Sequence, residues 1–299
     1  TRADLMRVED GLWVVEATGA NGQAYRFTGR SLVNAAGPAV LDLLRRAAAP
    51  PDYQMRLVRG SHIVVRKLFD HDFAYFFQLP DGRIFFAVPY ERDFTLIGTT
   101  DQDHEGSLAD VHASAEEIAY LCEGANQYFA AQIGPDDVVW TYSGVRPLVE
   151  DGSGKPEAAT RGYRIDLDMG EGAPLLTIYG GKITSYRHVA EHAVDDLAAH
   201  VAALTGARWT ASAPLPGGDF RTDGAAALKA DYRLAHPFLS AATVDRIVKA
   251  YGTDARAWLG TAQSWDDLGG EIAHGLSAAE IRWMIDREWA QTSDDILWR

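Results

Sequence analysis

Two short segments carry residue types suited to holding an anion. In Leu175-Leu-Thr-Ile-Tyr-Gly-Gly-Lys-Ile-Thr-Ser-Tyr-Arg187, an apolar run passes into a helical pattern through Gly180 and Gly181. Glycine there lets a ligand approach the main chain, and the first unpaired N–H groups of the helix point toward it. Lys182 adds a full positive charge. An ordinary tight turn would use the same glycines. The second segment, Trp140-Thr-Tyr-Ser-Gly-Val-Arg-Pro-Leu148, sets Arg146 between a glycine and a proline at a strand end. Its planar fork suits a carboxylate or phosphate, and would equally serve a structural ion pair. Arg161 follows in Ala-Thr-Arg-Gly-Tyr163, and His62 lies in Gly60-Ser-His-Ile63. An imidazole titrates near neutral pH and can take a hydroxyl proton; a hydrogen-bonded structural histidine is the competing account.

Three other patterns are look-alikes. His188-Val-Ala-Glu-His192 fits the H-x-x-E-H arrangement of inverted zinc peptidases but lacks an evident third ligand. Asp101-Gln-Asp-His-Glu-Gly106 begins like a calcium loop, yet His112 stands where its closing glutamate belongs. Gly152-Ser-Gly-Lys-Pro156 has Pro156 in place of the serine or threonine of a phosphate loop. No metal site is expected. Cys122, the single cysteine, sits on a helical pattern and reads as a packing residue in a reducing compartment.

Positioning these residues requires a mixed fold. Strands are predicted at Gly11–Glu16, Tyr25–Phe27 and Ser31–Ala36, followed by a helix over about 39–48. Ser61–Val65, Ala74–Leu79, Arg83–Pro89 and Phe94–Gly98 form closely spaced strands, the middle pair flanking Pro80-Asp-Gly82, so the sheet is antiparallel. A helix over 114–132 opens on the capping box Ser114-Ala-Glu-Glu117. Further strands are predicted at Val138–Tyr142, Tyr163–Leu167 and Leu175–Tyr179, then a helix to about Leu204 with Val189, Ala193, Leu197 and Val201 on one face. After Pro214-Leu-Pro-Gly-Gly218 only short helices are expected, with Ser240 and Thr253 as N-caps, Gly252 and Gly260 as stops, and a second box at Ser277–Glu280.

Composition narrows the partners. Lys plus Arg number 28 against 42 Asp plus Glu, a formal charge of −14. That balance argues against nucleic acid, which needs a basic face. No run of apolar residues is long enough for a membrane span, although one amphipathic helix would suffice for peripheral contact.

Five segments taken in order, Leu-Val-Asn-Ala-Ala-Gly-Pro (32–38), Arg-Gly-Ser-His-Ile-Val-Val (59–65), Ile-Gly-Thr-Thr-Asp (97–101), 140–148 and 180–187, resemble aerobic, membrane-associated FAD-dependent glycerol-3-phosphate dehydrogenases. Leu-Pro-Gly-Gly (215–218), Asp-Leu-Gly (267–269) and Asp-Asp-Ile-Leu-Trp-Arg (294–299) resemble that family's helical extension. The resemblance implies an α+β / α/β fold. Residues 1–56 and 138–204 would be the remainder of a flavin-binding Rossmann-like domain, 57–137 an antiparallel-sheet substrate domain, and 205–299 a small all-α domain. It departs from the family in lacking the Gly-x-Gly-x-x-Gly unit that holds the FAD pyrophosphate. The expectation is a carboxy-terminal portion of a longer enzyme, which alone neither holds FAD firmly nor turns over substrate.

The resemblance further implies oxidation of sn-glycerol 3-phosphate to dihydroxyacetone phosphate, with electrons passing to a quinone at the inner face of the cell membrane. Arg146 and Arg161 would grip the phosphate with an arginine of the absent segment. Lys182 would polarise the substrate oxygen or steady the reduced flavin, and His62 would accept the hydroxyl proton. Ala36, Gly37, Pro38 and Gly180, Gly181, Lys182, Ile183, Thr184 would contact FAD. A homodimer is a further expectation. Three rivals stand: an oxidase of the same fold using oxygen, a flavin amine or hydroxy-acid oxidase with a carboxylate-binding arginine, and a non-catalytic binding module. The tryptophans at 258, 265, 283, 289 and 298 serve core packing or a bilayer or partner contact.

Overall fold

A computed structural model of the chain describes residues 2–80, 82–150, 162–170 and 172–297. It resolves into two compact units, Thr1–Ala207 and Arg208–Arg299. The first begins with an antiparallel meander, β1 (Arg2–Glu9), β2 (Leu12–Thr18) and β3 (Ala24–Gly29). A short strand β4 (Leu32–Asn34) and helix α1 (Val40–Arg46) follow. Strand β4 ends earlier than the sequence suggests. The buried Asn34 accepts from Ala36 N at 3.3 Å and donates to Val40 O at 3.0 Å, folding the chain into a turn.

The large sheet contains β5 (Met55–Arg66), β6 (Tyr75–Gln78), β7 (Ile84–Tyr90), β8 (Phe94–Gly98), the two-residue β9 (Gln102–Asp103) and, beyond helix α2 (Ala115–Asn126), β10 (Val138–Val149). Its order is β10-β5-β8-β7-β6, with β9 beside β5, and every pairing is antiparallel. Strand β10 runs well past the expected Tyr142, because it pairs with β5 from Val138↔Val65 to Val149↔Met55. Helix α2 stops at Asn126 rather than near 132. The Asn126 side chain imitates a strand partner, donating to Ile133 O and accepting from Ile133 N, both at 2.8 Å.

Pleating divides β5 between two environments. Ser61, Ile63 and Val65 face α2, whose Leu121, Cys122 and Ala125 complete a buried cluster with Phe85, Ala87 and Ile97. Fully burying a leucine such as Leu121 contributes about 1.5–3 kcal/mol. Cys122 is buried in this core, which raises its thiol pKa, so it packs. Gly60, His62 and Val64 therefore take the opposite face.

A third sheet joins β11 (Tyr163–Asp168) antiparallel to β12 (Leu175–Gly180), and β12 parallel to β4 through Leu175↔Leu32, Leu176↔Val33 and Thr177↔Asn34. Leu176 packs on Ala193 and Leu197 of helix α3 (Tyr186–Ala198). That helix ends before the expected Leu204, because His200 N and Val201 N both turn onto Leu197 O. Val201 is nonetheless buried.

The second unit is helical: α4 (Ala225–Ala235), α5 (Ala241–Tyr251), α6 (Arg256–Leu259), α7 (Ala278–Glu288) and α8 (Ser293–Leu297). Ser240 caps α5, and Gly252 and Gly260 terminate α5 and α6, as the sequence suggests. Thr253 caps nothing; it lies inside a 3-10 turn, Gly252–Ala255. A small hairpin, β13 (Glu271–Ala273) and β14 (Leu276–Ser277), also interrupts the expected run of helices. Glu271 fixes it by accepting from Gly275 N at 2.7 Å. At Ser277 half of the expected capping box forms: Ser277 accepts from Glu280 N, while the Glu280 carboxylate binds Arg246 and Tyr251. Trp258, Trp265 and Trp283 pack against this unit's core, whereas Trp289 is exposed. Among the described residues no helix is long and apolar enough to cross a membrane.

Candidate functional site

The parallel pair β4 and β12 sets up the first half of the site. In sheets of this kind ligands lie beyond the carboxyl ends of parallel strands. Two glycine turns emerge there, Ala36-Gly37-Pro38 after β4 and Gly180-Gly181-Lys182 after β12. Gly37, Gly180 and Gly181 have φ of 55°, 72° and 94°, in the left-handed region. A Cβ on Gly180 would fall 2.8 Å from Gly162 O, whereas one on Gly37 would meet nothing within 4 Å, so that backbone borders open space. The 3-10 turn Gly37–Ala39 packs against both β10 and β12. Lys182 and Thr184 are exposed, Ile183 is 85% exposed, and no side chain caps the start of α3. The 3-10 turn Ile183–Ser185 leads into α3, with Lys182 N donating to Ser185 Oγ at 3.3 Å and Ser185 N to Lys182 O at 3.0 Å, and it sets the helix start beside the exposed Lys182.

The second half lies on the large sheet, on the face away from α2. His62 on β5 stands opposite Tyr142 on β10 and Gly98 on β8. Its ring stacks on Tyr142 at 4.9 Å and 10° and leans over Gly98, where a Cβ would come within 2.2 Å of the imidazole. Arg146 stands two places further along β10 than Gly144, and its guanidinium reaches back across Gly60, where a Cβ would lie 2.2 Å from Nη2. Nη1 donates to Asp101 Oδ1 at 2.5 Å and Thr100 O at 3.3 Å, and Nη2 to Thr99 Oγ1 at 2.8 Å. Gly144, directly opposite Gly60, has open space where its side chain would be. Of these three glycines only Gly144 opens on free space; Gly60 and Gly98 are the seats of the Arg146 guanidinium and the His62 imidazole. Burial, with a smaller contribution from the Arg146 charge, pushes the His62 pKa below its ordinary value, so the ring is neutral near pH 7. His62 Nδ1 is buried and accepts no hydrogen bond from the described residues.

The fold therefore brings His62 and Arg146 together, and brings the Gly37 and Gly180 turns beside β10. The halves meet where a Cβ on Gly180 would lie 3.4 Å from Pro147 O, next to Arg146. Arg161 lies outside the described residues, as does the Gly152–Pro156 segment. Several contributors escape a reading by residue type. Gly60, Gly98 and Gly144 matter because they have no side chain, and Asp101 and Thr99 because they orient Arg146. The strand alternation around His62 carried a signal for the glycines; the cross-strand partners had none. The look-alike segments have other uses. Asp101 pairs with Arg146, Asp103 with Arg56 at 2.6 Å, and Glu191 with Arg187 at 3.1 Å.

Comparison with known proteins places the chain. Residues 1–187 match the family described as FAD dependent oxidoreductase, and residues 208–299 match the C-terminal domain of alpha-glycerophosphate oxidase. The chain belongs to the FAD-dependent oxidoreductase family. It is 41% identical to the aerobic glycerol-3-phosphate dehydrogenase of Escherichia coli (strain K12), over 100% of this chain and 60% of that protein. It is 40% identical to the D-erythritol 1-phosphate dehydrogenase of Brucella abortus (strain 2308), over 98% and 59%. The structure of the glycerol-3-phosphate dehydrogenase from Bacillus halodurans complexed with FAD superposes with a TM-score of 0.81 at 25% identity, covering 100% of this chain and 59% of that one. The chain thus spans about three fifths of the length of these relatives. The family's cofactor is FAD, and these turns fit it: glycine backbone with positive φ, open space beside Gly37, and a helix start next to Lys182.

Proposed function

We propose that the protein containing this chain oxidises sn-glycerol 3-phosphate to dihydroxyacetone phosphate and passes the electrons to a quinone. FAD, when bound, takes up the hydride from C2 of the substrate. The observation that carries the reading is the placement of Arg146 and His62 on one face of the large sheet, seated over Gly60 and Gly98. A phosphate dianion needs fixed cations in a partly closed place. Arg146, held in orientation by Asp101 and Thr99, provides one, with Arg161 as a second. His62, neutral and pinned by Tyr142, takes the C2 hydroxyl proton. Lys182 stands to polarise the substrate oxygen, and the turns at 36–38 and 180–184 hold the flavin ring. Quinone reduction by peripheral contact with the inner face of the cell membrane, and a homodimer, belong to the same proposal.

The comparable identity to an erythritol-phosphate dehydrogenase favours a second reading, a longer polyol phosphate as substrate. The same cation and base serve both, since each substrate pairs a phosphate with a secondary hydroxyl. The match of residues 208–299 to an oxidase domain also keeps oxygen in view as acceptor. The test is anaerobic mixing of the full-length flavoprotein with each phosphate. Bleaching of the flavin by sn-glycerol 3-phosphate, then reoxidation by a quinone analogue faster than by oxygen, is expected. An unbleached flavin would overturn the reading, and bleaching by D-erythritol 1-phosphate alone would replace the substrate.

A further inference from the structure

Behind the sheet, directly under His62 and Arg146, lies a buried carboxylate that the proposed chemistry does not use. Glu117, on the first turn of α2, has a side chain only 4% exposed. One oxygen accepts from Thr100 Oγ1 at 2.6 Å and Ser61 Oγ at 2.9 Å. The other accepts from Ser114 N at 3.0 Å and pairs with Arg59 at 2.8 Å. Burial pushes the carboxyl up, but these hydrogen bonds and the Arg59 charge outweigh it and hold Glu117 below the usual carboxylate range.

The partners of Glu117 are neighbours of the functional side chains. Ser61 precedes His62. Thr100 lies between Thr99 and Asp101, and its own carbonyl oxygen also accepts from Arg146. Ser61 and Thr100 are further tied to each other, Ser61 N donating to Thr100 Oγ1 at 2.9 Å, and Ser61 Oγ lies 2.8 Å from Ser143 Oγ on β10. One carboxylate thereby joins α2, β5, β10 and the segment after β8. A helix–sheet interface gains little stability from a buried ion pair relative to apolar packing. What such a group does supply is a fixed geometry, since its oxygens tolerate little displacement of the donors around them.

We propose that Glu117 is a positioning residue, setting the separation of the base His62 from the phosphate-gripping Arg146 from behind the sheet. This rests on the function proposed above. Ser61 is the arm toward His62 and Thr100 the arm toward Arg146.

The experiment uses the full-length flavoprotein, with kinetics normalised to bound flavin. Glu117→Gln should lower kcat/KM by about tenfold to hundredfold, the range that small misplacements of reacting groups produce. Ser61→Ala should lower kcat with KM little changed, and Thr100→Val should raise KM with kcat little changed. These two keep the carboxylate and its Arg59 partner, so they remain informative if Glu117→Gln folds poorly. Glu280→Gln is the control: that glutamate is equally buried and bonded to an arginine, at 2.6 Å. It should reduce thermal stability and leave kinetics per flavin unchanged. Unaltered per-flavin kinetics in all three test variants, with a loss of melting temperature alone, would overturn the proposal by making Glu117 purely structural. A wild-type enzyme inert toward both polyol phosphates removes the functional reading and this proposal with it; an active wild type with unmoved variants removes this proposal alone.

Discussion

At the scale of residues, the site depends on missing side chains as much as on present ones. Gly60 is the seat of the Arg146 guanidinium. In Gly60→Ala the new methyl would stand 2.2 Å from Nη2, and the flexible end of the arginine must move. We expect KM for the phosphate substrate to rise by about tenfold or more, with a melting temperature near that of the wild type. An unchanged KM would show that the guanidinium does not work from that seat. His62 gives a pH prediction. As the proposed base it would react in its neutral form, and its folded pKa is lowered, so the acid limb of kcat/KM should fall below the ordinary imidazole value. Stability follows the same sign. The unfolded ring binds its proton at higher pH than the folded ring, so this contribution is complete above the ordinary value and is lost as pH falls toward and through the folded one. In Arg146→Gln the residual acid limb should move upward, because a charge that disfavours the imidazolium is gone.

At the scale of elements, the glycine turn after β12 decides how α3 begins. Gly180 combines a φ of 72° with a would-be Cβ 2.8 Å from Gly162 O, a backbone atom that cannot swing aside. Gly180→Ala should cost about 1–2 kcal/mol for the left-handed conformation alone, and the close contact adds to it. Thermal melting and the flavin content of the purified full-length protein check this. The two are expected to fall together, since the same turn supports the strand end and is proposed to face the flavin. A full flavin content at reduced stability would detach that turn from the cofactor. Asn34 works likewise after β4, where one amide side chain supplies the hydrogen bonds that turn the chain toward Gly37.

At the scale of the whole molecule, two units carry separate cores. The helical unit buries Leu228, Val244, Ile247, Tyr251 and Leu259 around one centre. Unfolding should therefore not follow a single two-state curve. Ile247 is 1% exposed, and Ile247→Ala should destabilise the helical unit by about 2–5 kcal/mol. Calorimetry should show the transition of that unit moving to lower temperature. One sharp transition, shifted as a whole, would contradict the picture of two cores.

Much of this was legible in the sequence. Periodicity and turn chemistry found most strands of the large sheet, the caps at Ser114 and Ser240, and the stops at Gly252 and Gly260, because these are local consequences of side-chain shape and hydrogen bonding. Ordered motifs identified the family and its cofactor, because glycine turns and the cations beside them are written in short, contiguous stretches. Element ends were less legible. The end of α2 is set by Asn126 bonding to Ile133, and the length of β10 by its partner β5, and neither is a property of the segment itself. The placement of His62 and Arg146 on one face, the use of Gly60 and Gly98 as seats, and the carboxylate of Glu117 behind them were settled by tertiary structure. Sequence fixes which groups are available. Which of them share a face depends on strand register, and register is a relation between segments far apart in the chain.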